Sequence, residues 1–418
     1  MKIAAAGDRA LLVTLPDATA ARLRAIADEL RDLRCVIGYD SILIIGATDR
    51  ERVTRAIAGA PDGKSSSAKT HVIRVSFADD YGWDLDDLPI PRDELLAHIG
   101  DVRLEVRFLG FKPGFAYLDG WPEAWRLPRR PTSRNVIPAG SFAIAGAYAG
   151  FYAVESPGGW NILGRTDAPL WDGSNALFAP GDVIRIEPTL ETIAEPPRPA
   201  PQPLTTPFAD FVKPGQLTTL TVAPFDAAAA AAVNRAAGNP DDAPIFECVL
   251  VAPTLRFRVD ARAAWCGADG IVRVFDKHAG EELDLGRIHG GLRGTLALGT
   301  GRGRVRNVER DDRFDIHVIR GPHDSPFIDS DWIVTPQLDR VGIRLRPAGA
   351  PVTGLPADLP SCGVLFGTLQ WHPDGSLVAM GPDHPVTGGY LQPATVVSSD
   401  LWKLAHLAPG DRVRLTAE

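Results

Sequence analysis

Residues 156–171, SPGGWNILGRTDAPLW, lead into LFAPGDVIRIEP (177–188), and residues 385–402, PVTGGYLQPATVVSSDLW, lead into LAPGDRVRLTAE (407–418). Each passage sets two glycines and an aromatic residue ahead of an apolar run, then a Pro-Gly-Asp turn and a last strand pattern. In such a turn Pro presets φ, Gly accepts positive φ and Asp bonds the backbone. The separation from Gly158 to Pro180 nearly equals that from Gly388 to Pro409. Two parts of the chain that finish alike imply a duplicated β-unit. Two related barrels facing across a cleft follow, and such a cleft is where a site belongs.

Working outward, the first seventy residues alternate strand and helix patterns. ALLVTL (10–15) and SILIIG (41–46) read as strands. Asp17 or Thr19 caps a helix bearing Leu23, Ile26, Leu30 and Leu33 at helical spacing, and a second helix opens near Thr48. GKSSSAKT (63–70) reads as a flexible link. From 71 to about 190, short β-like runs are broken by Gly and Pro, with one helical piece at PRDELLAHI (91–99), the pattern of a barrel or sandwich. A proline-dense spacer occupies 191–210. DAAAAAAVNRAAGN (226–239) is a helix capped by Asp226 and closed by Gly238. Short strand patterns then resume to the end. The fold class is mainly β with an α/β N-terminal unit.

The 418 residues are 45% hydrophobic and carry a formal charge of −8, which argues against a nucleic-acid footprint. Small molecules or protein partners remain. Cys35, Cys248, Cys266 and Cys362 form no CxxC pair, and no His spacing suits a metal, so no metal site is expected. Reduced thiols, together with Asp8 and Arg9 where a leader needs an apolar run, fit a cytoplasmic protein.

Two glycine-rich stretches resemble phosphate loops without the required frame. GAPDGKS (59–65) is one residue short between its glycines, and GTGRGRV (299–305) lacks a strand-loop-helix context. His372 and His384 sit in Gly/Pro turns, and the cysteines in apolar runs read as inert packed thiols.

Three segments carry chemistry. GFKPGFAYL (110–118) interrupts a strand with Gly110, Pro113 and Gly114 beside Phe111, Phe115 and Tyr117, a concave wall of backbone and aromatic faces. LPRRPTSRNVIPAGSFAIAG (127–146) sets Arg129, Arg130 and Arg134 before a turn containing Gly140 and Ser141, and a guanidinium fork there suits a carboxylate or phosphate. SPGGWNILGRT adds Gly158, Gly159, Trp160, Arg165 and Thr166.

GFKPGFAYLDG, LPRRPTSRNVIPAGS, SPGGWNILGRT and PGDVIRIEP resemble the first member of the bacterial allophanate hydrolase/5-oxoprolinase-type subunit pair, which includes a sporulation-kinase inhibitor. FVKPGQLTT (211–219), VNRAAGNP, LDRVGIRL (338–345), GTLQWHPDG and DHPVTGGY are similar to the second member. The chain thus resembles a fusion of both, the B-type and C-type subunits, as in the carboxyltransferase region of urea carboxylase. That resemblance implies cyclophilin-like barrels behind a small α/β domain, the C-type half being two barrels at 211–320, shortened, and 321–418, with a substrate between the two halves. Phe111, Pro113, Gly114, Phe115, Tyr117, Arg129, Arg134, Gly140, Ser141, Gly158, Gly159, Trp160, Arg165 and Thr166 would line the first wall. Asp339, Arg340, Arg344, Asp383, Thr387, Gly388, Gly389 and Tyr390 would line the second. Arg129 and Arg134 would anchor the substrate, and Asp339 or Asp383 would move protons. Where the family pattern sets a tyrosine and a glutamine, this chain has Leu104 and Tyr148.

The implied function is opening or carboxylation of a small amide or lactam. ATP or carboxybiotin would come from a partner, a protein like the A-type component of 5-oxoprolinase or a biotin carboxylase, since the only methionines are Met1 and Met380 and no biotin-accepting lysine lies between such residues. The alternative is a catalytically silent small-molecule-binding or kinase-regulatory member of the same family.

Overall fold

The computed structural model describes residues 1–47, 49–61, 68–197, 204–323, 330–350, 355–356 and 359–418. The N-terminal domain is an antiparallel sheet in the order Lys2–Ala6, Ala10–Thr14, Ser41–Ile45, Arg34–Ile37. Thr19 caps its first helix, Ala20–Glu29, accepting from the Arg22 N–H at 3.1 Å; Leu33 lies beyond the helix end. Asp49 caps the second, Arg50–Gly59. Thr48 lies outside the described residues.

Both faces of this sheet are buried, which explains why ALLVTL and SILIIG run apolar without alternation. Leu11, Val13, Ile42 and Ile44 meet the helices, with Leu23, Ile26 and Val53. Leu12, Leu43 and Val36, on the opposite face by the two-residue period, pack against Cys362 and Leu365 of the C-terminal half. The fit is close: a Cβ added to Gly363 would lie 2.3 Å from that of Leu43. Burial of Leu43 there contributes about 2 kcal/mol.

Residues Thr70–Ser76 through Val183–Thr189 close a seven-stranded barrel, and Asp315–Arg320 through Arg412–Ala417 close another. With the strands of either barrel numbered one to seven in chain order, both close in the circuit seven-one-six-four-five-three-two. In each, the last strand pairs in parallel with the first, Val183 opposite Thr70 and Arg414 opposite Asp315. The two Pro-Gly-Asp turns match in detail. Gly181 and Gly410 have φ of 86° and 92°, and Asp182 and Asp411 accept from Ala179 and Ala408 N–H groups at 3.0 and 2.8 Å. The duplication read from the sequence is a duplication of the whole barrel.

The unit expected as a barrel at 211–320 is instead a pair of open sheets. One joins Ala209–Lys213, Thr254–Phe257 and Glu282–Asp284; the other orders Leu217–Thr221, Ile245–Val249, Arg293–Gly299, Ala261–Cys266 and Val272–Lys277, with helix Ala227–Ala237 against it. Its strands are as short as those of a barrel, but the outer two do not pair with each other, so nothing closes it. Asp226 caps the helix from the Ala229 N–H at 3.0 Å, and Gly238 ends it with φ 79°. GTGRGRV packs on that helix end: a Cβ at Gly299 would lie 2.4 Å from the Ala237 carbonyl oxygen. Its glycines therefore serve helix packing.

The second barrel opens at Asp315, ahead of the expected boundary. The spacer also differs from a free rod. Ser76 Oγ donates to the Glu191 carbonyl at 2.6 Å and Ile193 is buried, so its first residues lie along the first barrel, while 198–203 lie outside the described residues. The same holds for residues 62–67 of the GAPDGKS and GKSSSAKT stretches. No helix among the described residues is long and apolar enough to cross a membrane.

Because the N-terminal sheet packs on the second barrel, the two halves are expected to hold together without their covalent link. Residues 1–197 and 204–418 produced as separate chains should co-elute at the mass of the intact protein. Leu43→Asp in the first fragment should separate them on size exclusion.

Candidate functional site

Lys112–Phe115 is a turn closed by the Phe115 N–H on the Lys112 carbonyl at 3.0 Å, with Pro113 and Gly114 at its centre. Gly114 has φ 76°, the left-handed value that the third residue of a type II turn requires. Phe111 also adopts φ 61°. The turn aims Phe115 into a nest of rings: Tyr117 and Tyr152 at 5.0 Å, Phe111 and Trp160 at 5.4 Å between centroids. These rings pack edge to face on one another. The stretch expected to be a concave wall is thus an aromatic platform whose rings fill their own hollow.

Tyr152 escaped the sequence reading, because a lone tyrosine after a strand has no distinguishing spacing. Gly158 exists for it: a Cβ there would lie 2.2 Å from its hydroxyl oxygen. Burial raises the Tyr152 hydroxyl to about 12, and burial likewise raises that of Tyr117.

The arginines divide. Arg134 forks onto Asp84 with bonds of 2.7 and 2.8 Å, Arg130 adds a third at 2.7 Å, and the Ile162 N–H a fourth. Asp84 is 3% exposed. Arg134, expected to anchor substrate, is therefore committed to the scaffold. Arg165 donates to the Ala139 carbonyl at 2.9 Å, faces Glu195 and lies by the Tyr81 ring. Gly140 fits under the Thr166 carbonyl, Ser141 Oγ donates to Pro138, and the Thr166 hydroxyl accepts from Ala168. All four shape the strands and turns behind the platform. Arg129 differs. It is exposed, it pairs with no carboxylate among the described residues, and its charge acts on both Tyr117 and Tyr152. Its guanidinium lies against Gly159, where a Cβ would stand 2.9 Å from Nε.

The second half meets this platform directly. Thr387 Oγ1 donates to the Leu109 carbonyl at 2.9 Å, and a Cβ on Gly110 would come within 2.0 Å of that hydroxyl. Gly388 pairs with Cys362, and the Gly389 carbonyl accepts from Leu359. Tyr390 follows, and its ring stacks on His372 of its own half. Thr387, ahead of the second Gly-Gly-aromatic passage, thus meets the loop at 109–110 of the first barrel.

Arg340 and Asp383 form a forked pair at 2.8 and 2.9 Å, and Arg340 also binds Glu247 at 2.7 Å, clamping the open sheet to the second barrel. Asp339 Oδ1 accepts the Val341 and Gly342 N–H groups at 2.7 and 3.0 Å, the bonding of a turn. The two carboxylates expected to move protons are thus engaged in holding structure.

A groove of about 530 Å³ lies beside them, lined by Asp339, Arg344, Gln370, His372, Val378 and Tyr390 among others. His372 stacks on Tyr390 at 4.1 Å. Burial, and then the Arg344 charge, lower its pKa to about 4, so the imidazole is neutral at ordinary pH. Arg344 itself donates to Asp374 at 3.0 Å and Ser376 at 2.6 Å. Neither Gln370 nor the groove was foreseen; an isolated Gln in a strand gives no local signal.

Comparison with known proteins matches the carboxyltransferase domain, subdomain C and D, to residues 1–179, and subdomain A and B to residues 222–308 and 302–417. The chain belongs to the carboxyltransferase-domain family. It carries both lettered pairs in one polypeptide. The B subunit of 5-oxoprolinase from Haemophilus influenzae is 38% identical over 120 residues, covering 27% of this chain and 56% of that protein. The C subunit from the same organism is 28% identical over 88 residues, 21% of this chain and 28% of that protein. The chain thus spans about half the length of the B-type relative it matches. The crystal structure of TTHA0988 superposes with a TM-score of 0.81 at 25% identity, covering 98% of this chain and 99% of that one. The fusion of B-like and C-like halves read from the motifs is what these matches describe.

Asp84 supplies a test of the scaffold. Burial pushes its carboxyl up, but the Arg134 bonds, the Ile162 N–H and Arg130 outweigh it and hold the group below the usual carboxylate range. A folded value below the unfolded one gives stability that is present above pH of about 4 and lost as pH falls through the folded value. Asp84→Ala strands two guanidinium groups and should cost about 3 to 5 kcal/mol in urea unfolding at neutral pH. The deficit relative to wild type should shrink toward acid pH.

Proposed function

We propose that this chain is a cytoplasmic component of an enzyme that opens or carboxylates a small amide or lactam, in the manner of 5-oxoprolinase, allophanate hydrolase or urea carboxylase. One observation carries the reading: Arg129, without a carboxylate partner among the described residues, lies against Gly159 next to Trp160 of the ring cluster, which the Thr387 segment of the other half meets at Gly110. A guanidinium with donors to spare beside buried phenols suits a small anion, and a carboxylate is the anion that an amide substrate of the 5-oxoproline type carries. Thr387 and the neighbouring glycine backbone complete the opposite wall. The family descriptions and the names of the two matched relatives support the same assignment.

ATP or carboxybiotin would be brought by a partner protein. The glycines of GTGRGRV are consumed by packing on the helix end, so that stretch does not cradle a phosphate. The role left to its residues is to bind and orient the amide and to exclude water from it.

A second reading, silent binding or kinase regulation, is favoured by one specific feature: Asp339 and Asp383 are both engaged in structural bonds. Calorimetric titration with 5-oxoproline, urea and allophanate, with and without a partner of the A type, separates the two. Binding with turnover only in the partner's presence supports the enzyme; binding without turnover supports the silent protein. Arg129→Met should weaken 5-oxoproline about tenfold or more, as expected for loss of a charge-assisted bond, while leaving the melting temperature unchanged. Equal affinity in the variant would refute the anchor.

A further inference from the structure

The duplication allows the two barrels to be compared residue by residue. In the first, Tyr117, Gly150 and Ala143 stand side by side on three neighbouring strands, all facing outward. In the second, the corresponding row is Arg344, Val378 and Gln370. The rows on either side confirm the match, because both point into the barrels. They are Ala116, Phe151 and Phe142 with Leu118, Ala149 and Ile144 in one core, and Ile343, Ala379 and Leu369 with Leu345, Leu377 and Trp371 in the other.

The same face is treated oppositely in the two copies. In the first barrel the loop at 110–115 folds Phe115 over it and Trp160 closes down on Gly150, where a Cβ would come within 3.1 Å of both rings. The face is filled. In the second barrel the corresponding connection is the tight turn at Asp339–Gly342, which brings no aromatic ring. Tyr390, the counterpart of Trp160, stacks on His372 at the side. The groove of about 530 Å³ is what remains.

Its floor is chemically unfinished. Gln370 is 4% exposed, yet its Nε2 has no hydrogen-bond partner among the described residues, and it lies where a Cβ on Gly388 would be 2.3 Å away. A buried amide nitrogen left without an acceptor costs about 1 to 3 kcal/mol, a cost that a ligand oxygen would remove. His372, two residues along the same strand pattern, shares the face and is neutral. Asp339 Oδ1 is taken by its turn and Arg344 by Asp374 and Ser376, so the groove holds no surplus positive charge to favour a carboxylate.

We propose that this groove is an amide pocket: Gln370 Nε2 and the His372 imidazole hydrogen-bond the carbonyl of a small lactam or amide. The assignment rests on the substrate reading above. Tyr390, stacked on His372, lines the same groove.

The experiment uses the full chain with ¹⁵N-labelled histidine and glutamine, and three probes: 2-pyrrolidinone, which has the lactam alone; cyclopentanecarboxylate, which has the carboxylate alone; and 5-oxoproline, which has both. Both lactams should shift the His372 ring and Gln370 side-chain signals, in wild type and in Arg129→Met alike. Cyclopentanecarboxylate should not. Gln370→Leu should weaken 2-pyrrolidinone about tenfold, the worth of a buried hydrogen bond, and should keep or raise the melting temperature, because it removes an unpaired polar group. A Gln370 with a merely structural role would instead lower the melting temperature and leave lactam affinity alone. Lactam titrations that move neither signal, or a Gln370→Leu variant of unchanged affinity, overturn the inference. Binding of 5-oxoproline that depends on Arg129 but never touches His372 would overturn it while leaving the substrate reading in place.

Discussion

One hydroxyl sets how closely the two halves approach. Thr387 Oγ1 reaches the Leu109 carbonyl at 2.9 Å only because position 110 has no side chain. Any Cβ there would occupy the space of the oxygen, and the Thr387-Gly388-Gly389-Tyr390 segment would be displaced from the aromatic platform. Reciprocal glycines repeat the device on both sides. Gly158 admits the Tyr152 hydroxyl, Gly159 admits Arg129, and Gly388 admits Gln370. Glycine is used here less for turn geometry than for close approach of polar groups. The close approach of the two halves is a consequence of missing methyl groups.

Within that frame the fold was legible where local chemistry determines it. The Pro-Gly-Asp turns, the capped helix at 227–237 and the Gly-Gly-aromatic passages all obey short-range rules, and each is found where those rules put it. The middle unit was not legible. A run of short strands looks the same whether its ends pair into a barrel or remain edges, because closure is a long-range event between the strands at 217–221 and 272–277. The packing of the N-terminal sheet on residues 362–365 was hidden for the same reason. Its sequence trace, apolar runs without alternation, states that two faces are buried but not against what.

The site was half legible. Residue types were right in kind, and their partners decided their fate. Arg129 and Arg134 are neighbours in one basic segment, yet Asp84, fifty positions before Arg134, commits one of them and leaves the other free of any carboxylate among the described residues. Arg340 and Asp383 are likewise absorbed by each other and by Glu247. A guanidinium binds a ligand only if no carboxylate of its own chain reaches it first, and that competition depends on contacts between distant segments.

The N-terminal domain then has a structural purpose beyond adding a sheet. The Tyr39 N–H donates to the Ser361 carbonyl at 2.6 Å, in the segment that pairs with Gly388, and its ring meets Tyr148 of the first barrel edge to face at 6.2 Å beneath the Arg107 guanidinium. Tyr148 in turn touches Tyr117 and Phe108 of the platform. One residue of the small domain thus contacts both walls. Burial, and then the Tyr39 phenol, raise the pKa of Tyr148, so its hydroxyl keeps its proton in the ordinary pH range. Two barrels joined only by a proline-dense segment would be free to rock. A third body packed on one barrel and stacked on the other removes that freedom.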